Sequence, residues 1–362
     1  MTSRVSIPTD PIRFLSPEGA LDGAAPQSAL APELLLKLYR AMARTRAYDG
    51  KAIALQRTGK LGTFASALGQ EAIGVGVGAA MRAEDMLAPS YRDHGAQLLR
   101  GMTMVENLVY WGGDERGSDY AVPRHDFPIC VPVGTQVAHA TGAAYAFKLR
   151  GEKRVAVAIL GDGGTSTGDF YSALNMAGVW GVPLVVVVNN NQWAISTPCR
   201  LETVAPTIAH KAIAAGVEGI RVDGNDAIAM HHVASRAIER ARDGGGPTLI
   251  EALSYRLGDH TTADDASRYR DPEIVQREAA REPISRLRAF LMRRGLWSEE
   301  AEAKLARETA EEVERAVETY LATPPQDVSA MFDHLFAELP AAMRPQREEA
   351  RRFASSNGAR HA

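Results

Sequence analysis

Two short runs of aliphatic residues constrain the fold of this chain more than any other feature of its sequence. The first run is RVAVAIL, at residues 154–160, and the second is LVVVV, at 184–188. Continuous runs of Val and Ile of this length are typical of parallel strands that are covered on both faces. A helical segment at 170–180 lies between them and ends at a Gly-Val-Pro break. Strand, helix and strand in this order predict a βαβ unit with a right-handed crossover.

The rest of the chain extends this pattern. Further strands are predicted at 219–222 and 248–253, with a helix at 226–242 between them. We therefore expect a doubly wound α/β fold, with a mostly parallel sheet and helices on both faces. Other predicted helices cover residues 32–58, the Gly- and Ala-rich segment 69–81, and residues 134–150.

Composition shifts divide the chain into three predicted parts. Residues 1–30 are rich in Pro, Gly, Ser and Ala and are expected to form an irregular arm, either mobile or laid over a partner. Residues 31–280 carry the α/β pattern. Residues 281–362 are charged and favour helices, which we expect to form an extension packed on the same domain.

Composition also excludes several classes of function. The chain has 362 residues, of which 45% are hydrophobic, enough for one large α/β domain. A net charge of −3 gives no basis for a nucleic-acid or membrane partner. The two cysteines form neither a metal-ligand spacing nor a disulfide framework. Because no signal peptide or apolar run of about 20 residues appears, we expect a cytoplasmic protein.

Polar residues follow both aliphatic runs. Asp162 comes directly after the first predicted strand, and Asn191 follows the second. Because the carboxyl ends of adjacent parallel strands share one edge of a sheet, these side chains should lie near each other. Carboxylate and amide oxygens suit Mg²⁺. Alone, each motif would usually be a tight turn or a helix cap; together they favour a site. Three glycines would let the backbone approach a diphosphate, namely Gly161, Gly163 and Gly164.

The segment YRLGDHTTADDASRYR, at 255–270, has no apolar periodicity but carries one His, three Asp and three Arg. This composition is typical of an exposed, mobile loop. The functional alternative is a loop that folds over a bound cofactor and is ordered by internal Asp–Arg pairs. An imidazole can hold a carboxylate or pass a proton near neutral pH, which makes His260 the first candidate and His94 and His139 weaker ones.

The segment from GDGG to NNNQWAIST, at 161–197, resembles the thiamine-diphosphate signature, in which GDG is followed about 30 residues later by NN. Its ending is similar to that of alpha subunits of pyruvate and branched-chain 2-oxo acid dehydrogenases. The resemblance covers nearly the whole chain from about residue 30. It includes GQEA at 69–72, PSYRDHG at 89–95, RVDGND at 221–226 and PISRLR at 283–288.

The resemblance implies a role for each matching residue. Mg²⁺ would be bound by the side chains of Asp162 and Asn191 and by the carbonyl of Trp193. Tyr91 and Arg92 would hold the diphosphate. His260 matches the family's active-site histidine and would also contact the cofactor. The remaining cofactor contacts would come from Gly161 and Gly163, along the diphosphate, and from Val131 and Val133, against the aminopyrimidine and the waist of the cofactor.

The resemblance also implies partners. A glutamate that activates the aminopyrimidine lies on a second α/β domain, and this chain has room for only the diphosphate-binding half. The other half would be a beta subunit in a tetramer of two alpha and two beta chains. The reaction would be the oxidative decarboxylation of a 2-oxo acid, with reductive acylation of a lipoyl group on the acyltransferase core.

The substrate is less constrained than the reaction. The segments LGTFASALGQEA and GDGGTSTGDFY look closer to bacterial pyruvate dehydrogenases, whereas HTTADDASRYR and PISRLR are also close to branched-chain relatives. We predict pyruvate, with 3-methyl-2-oxobutanoate or acetoin as alternatives. A cofactor-free assembly subunit is the alternative from another class. A nucleotide-binding protein is disfavoured because no Walker-type or G-x-G-x-x-G turn follows a strand.

Overall fold

The computed structural model describes residues 7–358. Among these residues no helix combines the length and apolarity needed to cross a membrane. The strands are β1 (Met86–Ala88), β2 (Ala156–Gly161), β3 (Leu184–Asn190), β4 (Trp193–Ala194), β5 (Thr197–Pro198), β6 (Glu218–Asp223) and β7 (Thr248–Leu253). The helices are α1 (Pro32–Arg57), α2 (Glu71–Ala80), α3 (His94–Arg100), α4 (Met104–Trp111), α5 (Thr135–Arg150), α6 (Gly168–Trp180), α7 (Lys211–Ala214), α8 (Ala227–Arg242), α9 (Pro272–Ala279), α10 (Pro283–Arg293), α11 (Glu299–Ala322), α12 (Ala330–Asp333) and α13 (Arg344–Gly358).

Five strands form one parallel sheet in the order β1-β2-β3-β7-β6. All four predicted strands are present, and β2 and β3 pair directly, with Gly161 opposite Asn189 at their carboxyl ends. β1 was not predicted, because three residues carry too short a pattern to separate a strand from other structure. The βαβ unit is therefore confirmed as the centre of the sheet.

The aliphatic residues of the sheet alternate between two apolar clusters. On one face Val157, Ile159 and Val185 pack in the cluster that includes residues of α1, α2, α8 and α10. On the other face Ala158 and Leu160 pack in the cluster that includes residues of α5 and α6. Because both faces are covered, the strands are continuous apolar runs rather than alternating ones. This confirms the doubly wound α/β class.

Helix α2 packs closely against its neighbours because its small residues leave no side chain in the way. A Cβ added at Gly76 would lie 2.8 Å from the Met230 side chain of α8. One added at Gly78 would lie 2.9 Å from the Ala96 backbone of α3. The close packing predicted from the Gly- and Ala-rich segment is confirmed, and it explains why α2 tolerates residues of low helix propensity.

The described part of the N-terminal segment packs on the chain's own α/β domain. Ile12 forms a bridge with Val222 of β6. The backbone N–H groups of Phe14 and Leu15 both donate to the buried Asp226 carboxylate, each at 2.7 Å. The sequence analysis expected this segment to be either mobile or laid over a partner, whereas residues 12–15 contact the same chain. The sequence shows only the absence of periodicity, and an irregular segment can still be fixed by hydrogen bonds to a distant carboxylate.

The chain forms two compact units, residues 1–317 and 318–362. Within the first, α10 and the first part of α11 pack near α1, where Arg44 pairs with Glu312 and Tyr39 donates to Glu302 at 2.6 Å. The second unit contains α12 and α13 and an ion pair between Arg347 and Asp333. The boundaries predicted at residues 30 and 280 stay predictions. Residues 1–6 of the predicted N-terminal arm and residues 359–362 of the predicted C-terminal extension lie outside the described residues.

Candidate active site

Asp162 and Asn191 lie at the same edge of the sheet. Asp162 follows the last residue of β2, and Asn191 follows the last residue of β3. Their strands are hydrogen-bonded neighbours, so the ends are separated by one strand spacing, about 5 Å. Both side chains are buried. The structure thus places the two residues that the sequence assigned to one cation at the same edge of the sheet.

Gln70 fixes the orientation of the Asn191 amide. Its side-chain oxygen accepts hydrogen bonds from the amide nitrogens of Asn191, at 2.9 Å, and Asn189, at 3.0 Å. The oxygen of Asn191 accepts the backbone N–H of Trp193 at 3.2 Å and keeps a second lone pair. Because its nitrogen is committed to Gln70, the Asn191 amide oxygen is the atom left to bind a cation.

The Asp162 carboxyl is buried, and one of its two oxygens is left without a hydrogen-bond partner. Its Oδ2 atom has no hydrogen-bond partner, and the residue is 1% exposed. Burial, and then the nearby charge of Glu202, raise the pKa of Asp162 to about 7. A buried carboxylate is stable only when it is paired, hydrogen-bonded or coordinated to a metal. A cation at this point would supply the missing compensation.

Gly163 and Gly164 of the GDGG turn have no room for a side chain. A Cβ at Gly163 would lie 2.5 Å from the Ala194 Cβ, and one at Gly164 would lie 2.9 Å from the Leu160 side chain. Val133 also reaches this turn, since its Cγ1 would be 3.2 Å from a Cβ on Gly164. These two glycines therefore let the turn pack closely against Ala194 and Leu160, and the diphosphate contact that the sequence predicts for this backbone stays a prediction.

Gly161, Val131 and Val133 are the remaining residues predicted to contact the cofactor. Gly161 ends β2 and has open space where a Cβ would be. Val131 and Val133 are 55% and 47% exposed. Apolar side chains this exposed beside a predicted cofactor site are available to contact a ligand or a second chain.

Arg256 connects the predicted metal-binding segment to the His260 loop. It is 1% exposed and donates to the carbonyls of Trp193 at 3.3 Å and Ile195 at 2.7 Å. It also donates to the Tyr269 hydroxyl at 2.8 Å and lies 3.4 Å from Nδ1 of His260. The Trp193 carbonyl, predicted as a metal ligand, is therefore oriented by a buried guanidinium.

Arg92 and Tyr91 lie against the same loop. Arg92 is buried and donates to the carbonyls of Ser66 and, at 2.9 Å, His260. The half-buried Tyr91 ring stands edge-on to the His260 ring, with centroids 6.1 Å apart. A guanidinium has five N–H donors, so these bonds, together with a contact to Nδ1 of His260, leave others for an anion. The structure thus brings both predicted diphosphate ligands next to the predicted active-site histidine.

His260 is half-buried between two guanidinium groups. The Nδ1 atom lies 3.4 Å from donors of both Arg92 and Arg256, so Nδ1 acts as an acceptor and the neutral ring carries its proton on Nε2. Burial, followed by the charges of Arg92 and Arg256, lowers the pKa of His260 to about 4. The side chain is therefore uncharged at neutral pH.

The loop around His260 is held by a carboxylate, but not in the predicted way. Asp264 accepts the His260 backbone N–H at 2.9 Å and the Tyr269 hydroxyl. Asp259 accepts the Ala266 backbone N–H at 3.0 Å. No Asp–Arg ion pair forms within 255–270, all of which the structure describes, so the predicted internal Asp–Arg pairs are wrong. Backbone N–H groups, which every loop residue provides, take their place.

His94, one of the weaker histidine candidates, lies in an aromatic cluster. It is fully buried, stacks on Phe64 at 5.1 Å and has Nε2 3.1 Å from the Ala65 carbonyl oxygen. Burial lowers the pKa of His94 to about 4. The ring is packed as part of the core rather than presented to a ligand.

We expect His94 to make the protein less stable in mild acid. Between pH 6.5 and 4 the unfolded chain binds a proton at this site and the folded chain does not, so stability falls as the pH falls through this range. From pH 7.5 to 5 the loss is about 2 kcal/mol. Urea unfolding at both pH values should show a smaller loss for His94→Phe. An equal loss in both proteins would contradict the neutral, buried state.

Three residues of this site were not found from the sequence: Gln70, Arg256 and Glu202. Gln70 contacts Asn191, Arg256 contacts the Trp193 carbonyl, and the charge of Glu202 acts on Asp162. Gln70 and Arg256 lie in motifs that the sequence analysis noted, GQEA and the His260 loop, although no role was predicted for them. No sequence motif indicated Glu202. The donor set of carboxylate, amide and carbonyl oxygens and the unpartnered Oδ2 atom of Asp162 fit Mg²⁺.

A family model and the most similar known proteins point to the same family. A family model described as "Dehydrogenase E1 component" matches residues 39–329. The chain is 43% identical to the 3-methyl-2-oxobutanoate dehydrogenase subunit alpha of Mycobacterium tuberculosis, over 96% of this chain and 95% of the relative. It is 40% identical to the pyruvate dehydrogenase E1 component subunit alpha of Acholeplasma laidlawii, over 90% and 94%. The Bacillus subtilis protein of that name is 38% identical, over 93% and 91%.

Proposed function

Because this chain belongs to the dehydrogenase E1 component family, as the alpha subunit of a 2-oxo acid dehydrogenase, we propose that it acts with a beta subunit, thiamine diphosphate and Mg²⁺. The proposed reaction is the oxidative decarboxylation of pyruvate, with transfer of the acetyl group to a lipoyl group of an acyltransferase core. The observation that carries this proposal is the buried Asp162 carboxyl, whose Oδ2 atom has no hydrogen-bond partner, at the carboxyl ends of β2 and β3.

The proposed binding roles follow from the contacts. Asp162, Asn191 and the Trp193 carbonyl would hold Mg²⁺. Arg92 and Tyr91 would hold the diphosphate, because a forked cation beside a phenol donor suits its oxygens. The glycine turn at 161–164 would let backbone N–H groups reach the same oxygens. Val131 and Val133 would contact the organic part of the cofactor, and their exposure in the single chain supports this role.

When bound, thiamine diphosphate supplies the electron sink for decarboxylation. The proposed contribution of His260 is proton transfer and anion binding. With Nδ1 facing Arg92 and Arg256, its Nε2–H is free to donate to a substrate carboxylate or to a lipoyl sulfur. Asp264 holds the backbone of the loop and Arg256 holds the ring, so that the donor keeps one orientation.

The beta subunit is proposed on two grounds. The described residues form a single parallel sheet, which we propose binds the diphosphate, so a glutamate partner for the aminopyrimidine would come from another chain. Helix α6 also leaves Tyr171, Met176 and Val179 between 41% and 74% exposed. Apolar side chains exposed on the helix that follows the GDGG turn would be covered by a partner.

The choice of substrate has a second candidate. Motifs around 61–72 and 161–171 favour pyruvate, whereas the 43% identical relative is named for 3-methyl-2-oxobutanoate. The two substrates differ by two methyl groups, and a pocket difference of this size is worth about 1–3 kcal/mol. A few side chains of either subunit would therefore decide between them.

Reconstitution with a cognate beta chain tests the proposal. We expect no turnover by the isolated chain, and decarboxylation by the mixture that requires both thiamine diphosphate and Mg²⁺. Assays with pyruvate, 3-methyl-2-oxobutanoate and acetoin should show a kcat/KM preference of at least about tenfold for one substrate.

Several outcomes would count against parts of this proposal. Full turnover by the alpha chain alone would refute the need for a beta subunit. A preference for 3-methyl-2-oxobutanoate would overturn pyruvate but keep the reaction class. If calorimetry detected no thiamine diphosphate binding to the reconstituted pair, the chain would instead be a cofactor-free assembly subunit.

A further inference from the structure

Two residues outside the predicted Mg²⁺ set lie beside Asp162. The β4–β5 hairpin pairs Trp193 with Pro198, and Cys199 and Glu202 follow directly in a short helical turn. A carboxylate oxygen of Asp162, the sulfur of Cys199 and a carboxylate oxygen of Glu202 all lie within 4.8 Å of one another. Three potential ligand atoms therefore converge on one point.

Both carboxylates in this cluster have an unsatisfied oxygen. Oδ2 of Asp162 and Oε2 of Glu202 are buried without a hydrogen-bond partner, and the Asp162 residue is 1% exposed. The other oxygen of Glu202 accepts the Ala194 N–H at 3.1 Å. The nearby ammonium of Lys211 donates instead to Thr165, at 2.8 and 2.9 Å. Two adjacent carboxylates, of which Asp162 is buried and Glu202 partly buried, favour a cation or a shared proton between them.

The ligand atoms of this cluster indicate a cation other than Mg²⁺. The Mg²⁺ ligands proposed above are all hard oxygens, whereas Cys199 adds a soft sulfur. Two carboxylate oxygens and one thiolate, with a water molecule in the fourth position, suit a tetrahedral Zn²⁺. We propose that Asp162, Cys199 and Glu202 form a binding site for Zn²⁺ or a similar borderline divalent cation. Cation binding displaces the thiol proton of Cys199, which is released to the solvent.

The proposed site shares Asp162 with the Mg²⁺ site. One carboxylate cannot serve both cations with full affinity, so Zn²⁺ competes with Mg²⁺ and thus with the cofactor. The β4–β5 hairpin carries the Trp193 carbonyl, and Cys199 follows it directly. Movement of this segment toward one cation would therefore change the position of the ligand atom for the other cation. The chain would therefore be inhibited by Zn²⁺ at concentrations that leave an all-oxygen site unaffected.

Co²⁺ is a suitable probe, because a thiolate ligand gives it a sulfur-to-cobalt charge-transfer band in the near ultraviolet. The alpha–beta complex is titrated with Co²⁺ in the absence of thiamine diphosphate. We expect the band and its displacement by Zn²⁺. Cys199→Ser should abolish the band, while Cys130→Ser, at the only other cysteine, should leave it unchanged.

Glu202→Gln tests the site with the thiol intact. We expect its Co²⁺ dissociation constant to rise about tenfold or more, with the band retained at saturation. No band in the unaltered complex, a band that survives Cys199→Ser, or unchanged affinity after Glu202→Gln would each overturn the site and favour a proton shared by the two carboxylates. Because no cofactor is present, failure here leaves the proposed function untouched, and loss of cofactor binding leaves this test unaffected.

Discussion

Asp162→Asn is expected to abolish Mg²⁺-dependent binding of thiamine diphosphate to the alpha–beta complex. The substitution keeps the shape of a 1% exposed side chain and removes the charge that compensates the cation. Removing one partner of a buried charge pair costs about 3–5 kcal/mol, so cation affinity should fall by at least about a hundredfold. Isothermal titration with the cofactor at saturating Mg²⁺ measures the effect, and the decarboxylation rate should fall in parallel.

Stability separates lost binding from lost folding. Burial and the charge of Glu202 raise the pKa of Asp162, so without a cation the charged carboxyl opposes folding and a neutral amide does not. The cofactor-free variant should therefore unfold at a temperature no lower than the unaltered chain. Asp169→Asn, at an exposed residue in the first turn of α6, is the matched control. Normal cofactor affinity in Asp162→Asn would remove the basis for the cation site.

His260→Ala is expected to reduce acyl transfer to the lipoyl group by about 10²–10⁴-fold, the usual contribution of a positioned general acid or base. Cofactor affinity should change less than about threefold, because the contacts that anchor the loop are made by backbone atoms. The His260 carbonyl accepts from Arg92 and its N–H donates to Asp264, and both bonds survive the substitution. The turnover rate of His260→Ala should therefore fall more with a lipoyl domain as the acceptor than with a small dye as the acceptor.

The comparison of acceptors defines the role of His260. A loss confined to the lipoyl assay assigns the proton transfer to acylation, whereas equal losses with both acceptors place it at decarboxylation. His334→Ala, at an exposed histidine of the second compact unit, should leave both rates unchanged. If His260→Ala retained full lipoyl acylation, its assignment as the catalytic histidine would be wrong.

Much of the fold was predictable because its elements are locally encoded. The continuous Val and Ile runs of β2 and β3 could hardly be anything but buried parallel strands, and the Gly-Val-Pro break ended α6 where expected. In contrast, β1 and the β4–β5 hairpin were missed, because two or three residues carry no period. The fixed position of Phe14 and Leu15 was also unpredictable, since their bonds go to Asp226, more than 200 residues away.

The sequence by itself determined the class of the site: a carboxylate and an amide at the ends of consecutive strands, a glycine turn between them, and a histidine in a polar loop. These depend on strand order and on residue chemistry, which one βαβ unit encodes. Tertiary structure alone decided what surrounds them. Gln70, Arg256 and Glu202 reach the site from segments far apart in the chain, and no local periodicity records such contacts. Packing thus set the orientation of Asn191, the tautomer of His260 and the unpaired state of Asp162, because burial and partner geometry are properties of the folded chain.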